Sequence, residues 1–187
     1  EQIVVICFDQ SKSMKLNLKG KEVKEGELSR SRIAIQLLHN LFNGFIKQWE
    51  STLLKFISFN SGLNCHQNKN IYLPEFLNEF NEIDSNDNTL LFDALKEAGN
   101  LINNINIDND EICFPNARTR IIIISDGEDN HSDSSHEDLI DNFTLNGVIV
   151  DTILLSEKDD ENTKKLCILS KMTGGLCFKL TENFKEV

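Results

Sequence analysis

Five oxygen-bearing side chains stand at strand ends or at the start of a helix, where side chains commonly do chemistry. Asp9, Ser11 and Ser13 follow an apolar run that is typical of a buried strand. Asp126 follows a second such run, and Thr89 stands directly before a stretch with helical periodicity. Hard cations such as Mg²⁺ prefer oxygen ligands and usually keep some bound water. The pattern therefore predicts a binding site for Mg²⁺, with Mn²⁺ or Ca²⁺ as alternatives.

These residues must be positioned by the elements around them, and strand-like and helix-like segments alternate along the chain. Apolar runs predict buried strands at residues 3–8, 53–59, 120–125, 148–155 and 176–180. Helical spacing of apolar residues, with capping residues at several starts, predicts helices at residues 29–49, 90–105, 135–146 and 160–173. A short extended segment is expected near residues 71–73, within the polar stretch 60–74.

This alternation is typical of an α/β fold with a doubly wound, mostly parallel open sheet and helices on both faces. We expect residues 1–187 to form one Rossmann-like domain of this kind, with one short antiparallel edge strand. In such sheets, ligands bind beyond the carboxyl ends of the strands, where the strand order reverses. The three oxygen-rich segments are therefore expected to meet at one edge of the sheet.

Composition excludes some classes of function. The 187-residue chain has 19 basic and 30 acidic residues, which gives a formal net charge of −11. This balance argues against nucleic-acid binding, because phosphate contacts need clustered Lys and Arg. No apolar run approaches the roughly 20 residues of a transmembrane segment. The chain begins at Glu1, directly before a predicted strand, as a piece of a longer protein would.

The cysteines predict a reduced, intracellular protein. There are five of them, they are widely spaced, and no Cys-x-x-Cys motif occurs. Cys7 lies within an apolar run, which is typical of a small core residue. An odd number of scattered cysteines makes a disulfide framework unexpected. We therefore expect all five to be reduced, namely Cys7, Cys65, Cys113, Cys167 and Cys177.

Three segments together resemble a von Willebrand factor type A (VWA) domain. They are Asp9-x-Ser11-x-Ser13, the segment from Thr89 to Leu95 (TLLFDAL), and Ile-Ser-Asp126-Gly. In that family, the corresponding segments form the metal-ion-dependent adhesion site. The resemblance covers essentially the whole chain, with the segments in the family's order among strands and helices.

The resemblance also implies roles for individual residues. Ser11, Ser13 and Thr89 would contact the metal directly. Asp9 and Asp126 would act through water. One coordination position would stay open for an acidic residue of a partner protein.

The sequence departs from the family pattern at two places. The family usually has glycine shortly before the threonine, whereas Asp87 and Asn88 stand there in this chain. Asn tolerates left-handed backbone better than most residues, so the loop can still form. Residues 14–28 make a polar connection that is longer than the family's usual one. We expect this 14–28 connection to lie beside the metal site, where it would alter or gate access.

The leading functional hypothesis is a non-catalytic, divalent-cation-dependent protein-interaction module. The site offers a metal but no general base with an orienting partner, which hydrolysis would need. The alternative is a Mg²⁺-dependent phosphoryl-transfer enzyme of a doubly wound fold, in which Asp9 would hold the metal and attack phosphate. Against this alternative, Ser11 stands where a second aspartate is expected. A third hypothesis is a structural domain with a vestigial metal site.

Some of these residues also have simpler interpretations. Thr89 has the position of a helix N-cap, and Asp126 with Gly127 has the composition of a simple turn. Three acidic residues that follow are interpreted as a solvated loop and not as ligands, namely Glu128, Asp129 and Asp133.

Overall fold

The computed structural model of the chain describes residues 2–46, 52–66, 88–108 and 117–181. In these residues six strands and four α-helices follow one another. The strands are β1 (Gln2–Asp9), β2 (Thr52–Phe59), β3 (Leu63–His66), β4 (Arg118–Ser125), β5 (Ile149–Leu154) and β6 (Cys177–Lys179). The α-helices are α1 (Arg30–Ile46), α2 (Leu91–Asp108), α3 (His136–Leu145) and α4 (Glu161–Met172), and a 3₁₀ helix spans Lys12–Lys15.

The strands form one sheet in the order β3-β2-β1-β4-β5-β6. All neighbouring strands are parallel except β2 and β3, which are antiparallel. Chain order runs outward from β1 in both directions, so the strand order reverses between β1 and β4. The predicted α/β fold, a mostly parallel open sheet with one antiparallel edge strand, is thereby confirmed.

Apolar side chains alternate between the two faces of the sheet, as the period of two in a strand requires. Along β1, Ile3, Val5 and Cys7 pack on one face, whereas Val4, Ile6 and Phe8 pack on the other. The first face is covered by α2, α3 and α4. The second face is covered by α1 and by two buried residues of the 14–28 connection, Met14 and Leu18. Burial on both faces explains why β1 and β4 have continuous apolar sequences.

The helices begin where the sequence predicts. Ser29 caps α1 by accepting a hydrogen bond from the Arg32 amide at 3.3 Å. Ser135 caps α3, and Asp160 caps α4 by accepting from the Thr163 amide at 2.9 Å. None of the described helices has the length and apolar content needed to cross a membrane. The predicted end of the first helix, residues 47–49, lies outside the described residues.

The antiparallel edge strand is β3, which follows β2 through a tight turn. The short extended segment predicted near residues 71–73 lies outside the described residues. In the turn between β2 and β3, the Asn60 side-chain oxygen accepts from the Gly62 amide at 2.9 Å. A polar edge strand of four residues has little apolar periodicity to reveal it.

The 14–28 connection is anchored and does not hang freely. Within it, the Asn17 side-chain oxygen accepts hydrogen bonds from the amides of Lys19 and Lys21 at 3.1 and 3.0 Å. The Glu157 amide, which follows β5, donates to the Leu18 carbonyl oxygen at 3.0 Å. These contacts hold the connection against the same edge of the sheet at which β1 ends.

The structure pairs Cys167 with Cys177, so the expectation that all five cysteines are reduced is wrong. Cys167 lies on α4 and Cys177 on β6, with 5.3 Å between their Cα atoms. The chain reverses between them at Gly174, which has a φ of 80°, and Gly175. A Cβ on Gly175 would overlap the carbonyl oxygen of Val150. This glycine turn brings together two cysteines that are separated by 10 positions in sequence.

The structure describes two further cysteines, and both are unpaired. Cys7 is buried, as predicted for a core residue, and burial raises the pKa of its thiol. Cys65 is exposed on β3. Cys113 lies outside the described residues.

We predict that the unreduced chain, alkylated after unfolding, carries two fewer alkyl groups than the reduced chain, because Cys167 and Cys177 are bonded. Intact-mass measurement reads this number directly. Cys177→Ala should also lower the free energy of unfolding by about 2–3 kcal/mol, the usual effect of opening a loop of this size. Cys65→Ser is the control and should leave the mass difference unchanged. Equal alkylation with and without reductant would disprove the bond.

Candidate functional site

The site lies where β1 and β4 end side by side. The two strands are parallel and in register, with Phe8 opposite Ile124. Asp9 is therefore level with Ser125, and the Ser125 hydroxyl donates to Asp9 Oδ2 at 2.6 Å. Asp126 is the next residue along the chain. Strand pairing alone thus places both predicted aspartates at the point where strand order reverses, which is the usual ligand position in this architecture.

Asp9 and the two serines form one hydrogen-bonded group. The Ser11 amide donates to Asp9 Oδ1 at 2.8 Å, which turns the chain away from the strand. The hydroxyl oxygens of Ser11 and Ser13 are 3.0 Å apart. Asp9 and Ser11 are completely or almost completely buried, whereas Ser13 is partly exposed. The structure therefore brings together the alternate hydroxyls that the motif predicts.

Asp126 is the second buried carboxylate of the site. Its Oδ1 accepts from the Glu128 amide at 3.0 Å, and its side chain also receives a hydrogen bond from Ser13. Its Oδ2 is paired with the guanidinium of Arg30. Gly127 makes the tight turn after it with a φ of 87°, and a Cβ there would lie 2.8 Å from a Thr163 methyl group. The simple-turn interpretation is correct for the backbone, but the carboxylate points into the site.

Burial raises the proton affinity of both carboxylates. Burial, followed by the charge of Asp126, raises the pKa of Asp9 to about 7, and hydrogen bonds from Ser11 and Ser125 oppose this rise. Burial also raises the pKa of Asp126, although the Arg30 charge and the Ser13 hydrogen bond lower it. Of these two buried carboxylates, Asp126 is the one that pairs with the guanidinium of Arg30. The group is short of positive charge, which is the condition that a bound cation relieves.

Thr89 is held at the same edge by a different part of the chain. It is 2% exposed. Its amide donates to Asn130 Oδ1 at 2.8 Å, and its carbonyl oxygen accepts from the Asn130 amide at 3.3 Å. The next amide, of Leu90, donates to the carbonyl oxygen of Asn60 at the end of β2. These backbone contacts fix Thr89 between the turn after β2 and the loop after β4.

The loop between β4 and α3, residues 126–135, caps the start of α2. The Leu91 amide donates to Asp129 Oδ1 at 2.9 Å. The Ser132 hydroxyl oxygen accepts from the amides of Phe92 and Asp93 at 3.0 and 3.2 Å. The amide donors of the first turn are thus satisfied by this loop, and Thr89 is not needed as the N-cap.

The interpretation of this loop as a solvated acidic segment is wrong for Asp129. Asp129 is partly buried and bonded to α2, whereas Asp133 is exposed. Glu128 pairs with Lys158 at 2.7 Å. In the sequence, this capping role is indicated by the clustering of Asp, Asn and Ser in the loop, because their short side chains readily accept hydrogen bonds from backbone amides. Their partners, however, are some 40 positions away.

Arg30 is a site residue that the sequence analysis missed. It is the first residue of α1, and its side chain is fully buried against Asp126. Its Nη1 also donates to the carbonyl oxygen of Ser13 at 3.2 Å. No local pattern distinguishes it from Arg32, two positions later, which is exposed.

The donor set fits a hard cation. Among the described residues, no three His, Cys, Asp or Glu side chains are grouped as metal ligands, so an ion here would depend on the hydroxyls of Ser11, Ser13 and Thr89. Asp9 already accepts a hydrogen bond on each carboxylate oxygen. It is therefore better suited to holding a metal-bound water than to direct ligation.

Comparison with known proteins shows the fold. No protein-family model and no curated protein sequence matches the chain. Solved structures that match include an aerotolerance-related membrane protein of Bacteroides fragilis, with a TM-score of 0.67, 16% identity, and coverage of 97% of this chain and 92% of that one.

The SpRpn10 VWA domain matches with a TM-score of 0.67, 12% identity and coverage of 98% and 90% of the two chains. BatB of Bacteroides thetaiotaomicron matches with a TM-score of 0.61, 17% identity and coverage of 96% and 90%. The chain therefore has the fold of a VWA domain, and identities this low show no more than the fold.

We predict that Asp129→Ala lowers the free energy of unfolding by about 1 kcal/mol, the usual effect of losing a helix cap. The variant leaves the Leu91 amide without its acceptor at the start of α2. Urea denaturation measures the change.

The matched control is Asp133→Ala, which removes the same charge from the same loop at an exposed position. It should change the free energy of unfolding by less than about 0.5 kcal/mol. Equal effects of the two substitutions would contradict a capping role for Asp129.

Proposed function

We propose that this chain is a divalent-cation-dependent protein-interaction module. Mg²⁺, or Mn²⁺ or Ca²⁺ in its place, is held by Ser11, Ser13 and Thr89 directly and by Asp9 and Asp126 through water. The partner supplies an aspartate or glutamate carboxylate to the metal. The observation that carries this proposal is the pair of buried carboxylates at the strand-order reversal, whose charge Arg30 balances only in part.

The proposed direct ligands, Ser11, Ser13 and Thr89, are uncharged, and this favours binding of an acidic partner. Hydroxyl oxygens leave most of the positive charge on a bound ion, so it attracts a further anionic ligand. The chain itself is strongly acidic, with a net charge of −11, and would repel an acidic partner in the absence of the ion. The metal reverses the local sign, so partner binding should require it and not merely improve with it.

The phosphoryl-transfer alternative receives less support. An aspartate nucleophile must present a free carboxylate oxygen to a phosphate. Asp9 is fully buried, and its two oxygens accept hydrogen bonds from the Ser11 amide and the Ser125 hydroxyl. In this arrangement Asp9 orients the turn that carries the serines. A VWA fold also favours an interaction module over an enzyme.

We predict that Mg²⁺ raises the unfolding midpoint of the native chain, because a ligand that binds only the folded state stabilises it. The free energy of unfolding should rise by about 2.7 kcal/mol when the Mg²⁺ concentration is one hundred times the dissociation constant. Thr89→Ala should abolish most of this gain. The substitution changes no charge and keeps the backbone bonds to Asn130 that position the segment.

Thr89→Ser is the matched control, since it keeps a hydroxyl at the same place and should retain the gain. Thermal unfolding with Mg²⁺ and with chelator measures all three proteins. An unchanged gain in Thr89→Ala would remove Thr89 from the ligand set.

We further predict that peptides selected by the chain from a random displayed library in Mg²⁺ share an Asp or Glu and lose binding in chelator. Replacing that residue by Asn or Gln should abolish binding, because an amide is a poor substitute for an anionic ligand. Peptides that bind equally with and without Mg²⁺ would contradict the metal bridge. Release of phosphate from p-nitrophenyl phosphate that depends on Mg²⁺ and on Asp9 would instead support the phosphoryl-transfer alternative.

A further inference from the structure

Arg30 is buried beside the candidate metal site, yet its hydrogen bonding is incomplete. Among the described residues, only its Nη1 has hydrogen-bond partners, namely Asp126 and the carbonyl oxygen of Ser13. Nε and Nη2 are buried and have no hydrogen-bond partner in the part of the chain that the structure describes. Leaving such donors unpaired is costly. The attraction that holds the guanidinium in place is therefore the charge of Asp126, and not a complete set of hydrogen bonds.

The 14–28 connection builds the enclosure around this side chain. The Arg30 amide donates to the carbonyl oxygen of Leu16 at 2.9 Å, which fixes where α1 begins. Gly20 lies over the guanidinium with a φ of 73°, and a Cβ there would be 3.3 Å from Nη2. The Lys158 side chain also lies beside this position, with its Cε 3.4 Å from the same Cβ, and pairs with Glu128. The connection thus closes over Arg30 and keeps its charge away from water.

A buried guanidinium and a bound divalent ion would compete for the same carboxylate. Arg30 contacts both Asp126 and Ser13, and these are two of the residues assigned to the metal. The guanidinium and the ion are both positive, and two like charges beside one carboxylate repel each other strongly when they are shielded from bulk water. Either the ion binds more weakly while Arg30 stays, or Arg30 must release Asp126 when the ion binds. In both cases the guanidinium lowers the affinity for the ion.

We propose that Arg30 is an internal counter-cation that sets the divalent-ion affinity of this site by competing for Asp126. This inference rests on the proposed function, because it concerns the same metal. Arg30 neutralises Asp126 in the metal-free protein and is displaced from it in the metal-bound protein. Its removal tightens metal binding and destabilises the metal-free chain, which then keeps two buried carboxylates without a counter-charge.

A purely structural role makes the opposite prediction. If Arg30 only positions Asp126 for the metal, its removal loosens the ligand and weakens metal binding. The sign of the change in affinity therefore decides between the two roles.

The test is the dissociation constant for Mg²⁺ and Mn²⁺, measured by calorimetry on the full chain. Arg30→Gln should bind about tenfold more tightly than the native chain, a factor typical of coupling between two binding events. The matched control is Arg32→Gln, which removes the same charge from the same helix at an exposed position. It should change affinity by less than about twofold, because solvent and salt screen an exposed charge. Arg30→Lys retains the charge and should bind about as weakly as the native chain.

A second measurement covers the case in which Arg30→Gln does not fold. In the native chain, the arginine Nε–H signals in the ¹H–¹⁵N spectrum can be followed during Mg²⁺ titration, with assignment by Arg30→Lys. The Arg30 signal should shift and exchange faster with water as Asp126 is released, whereas the Arg32 signal should not change. An Arg30 signal that is unaffected at saturating Mg²⁺ would overturn the inference.

The outcomes separate this inference from the proposed function. If the native chain binds Mg²⁺ and Arg30→Gln binds equally or more weakly, the role of Arg30 is wrong and the metal site stands. If Arg30→Gln binds Mg²⁺ and the native chain does not, Arg30 excludes the ion and the proposed metal-dependent function is wrong. If neither binds, both are wrong.

Discussion

Two carboxylates are buried at the ends of neighbouring strands, and the surrounding structure supplies the hydrogen bonds and part of the positive charge that they need. Asp9 is held by the Ser11 amide and the Ser125 hydroxyl, and Asp126 by the Glu128 amide and Arg30. Buried charges of this kind contribute little to stability, and apolar replacements of similar volume are often as good or better. The metal ion that we propose would supply the positive charge that these two carboxylates lack.

The constraint reaches beyond the site itself. Arg30 can stay buried only because the 14–28 connection encloses it, and the connection is held in place by Asn17 and by the Leu18–Glu157 hydrogen bond. The loop after β4 carries Asp126 and also caps α2 through Asp129. A change at the candidate site is thereby linked to the start of two helices, α1 and α2. The 14–28 connection and the loop after β4 therefore both depend on this pair of charges.

Much of the fold could be predicted from the sequence because it depends on local periodicity. The apolar runs of β1 and β4 and the capped helices α1, α3 and α4 are short-range patterns, and all are confirmed. The structure brings Asp9, Ser11, Ser13 and Asp126 close together. The metal-ligand roles assigned to these four residues and to Thr89 stay a prediction. What sequence reasoning missed depends on contacts between distant residues. Arg30 meets Asp126 across 96 positions and Asp129 meets Leu91 across 38.

The sequence did not predict the disulfide because Cys167 and Cys177 form no recognisable cysteine motif. A glycine turn between them brings the two residues together. The intracellular location stays a prediction, and it has lost part of its basis, since disulfides persist mainly in oxidising compartments.

The pairing of β1 with β4 also has a consequence for how the protein is made. β1 is translated before its partner β4, and residues 10–117 separate the two strands. At roughly 5–20 residues per second, the interval between Asp9 and Asp126 lasts roughly 6–23 s. During that time one edge of a strongly apolar strand has no neighbour, and such edges readily pair with other chains. The nascent chain therefore exposes this edge until β4 emerges, and β1 gains its second neighbour in the same step that brings Asp126 beside Asp9.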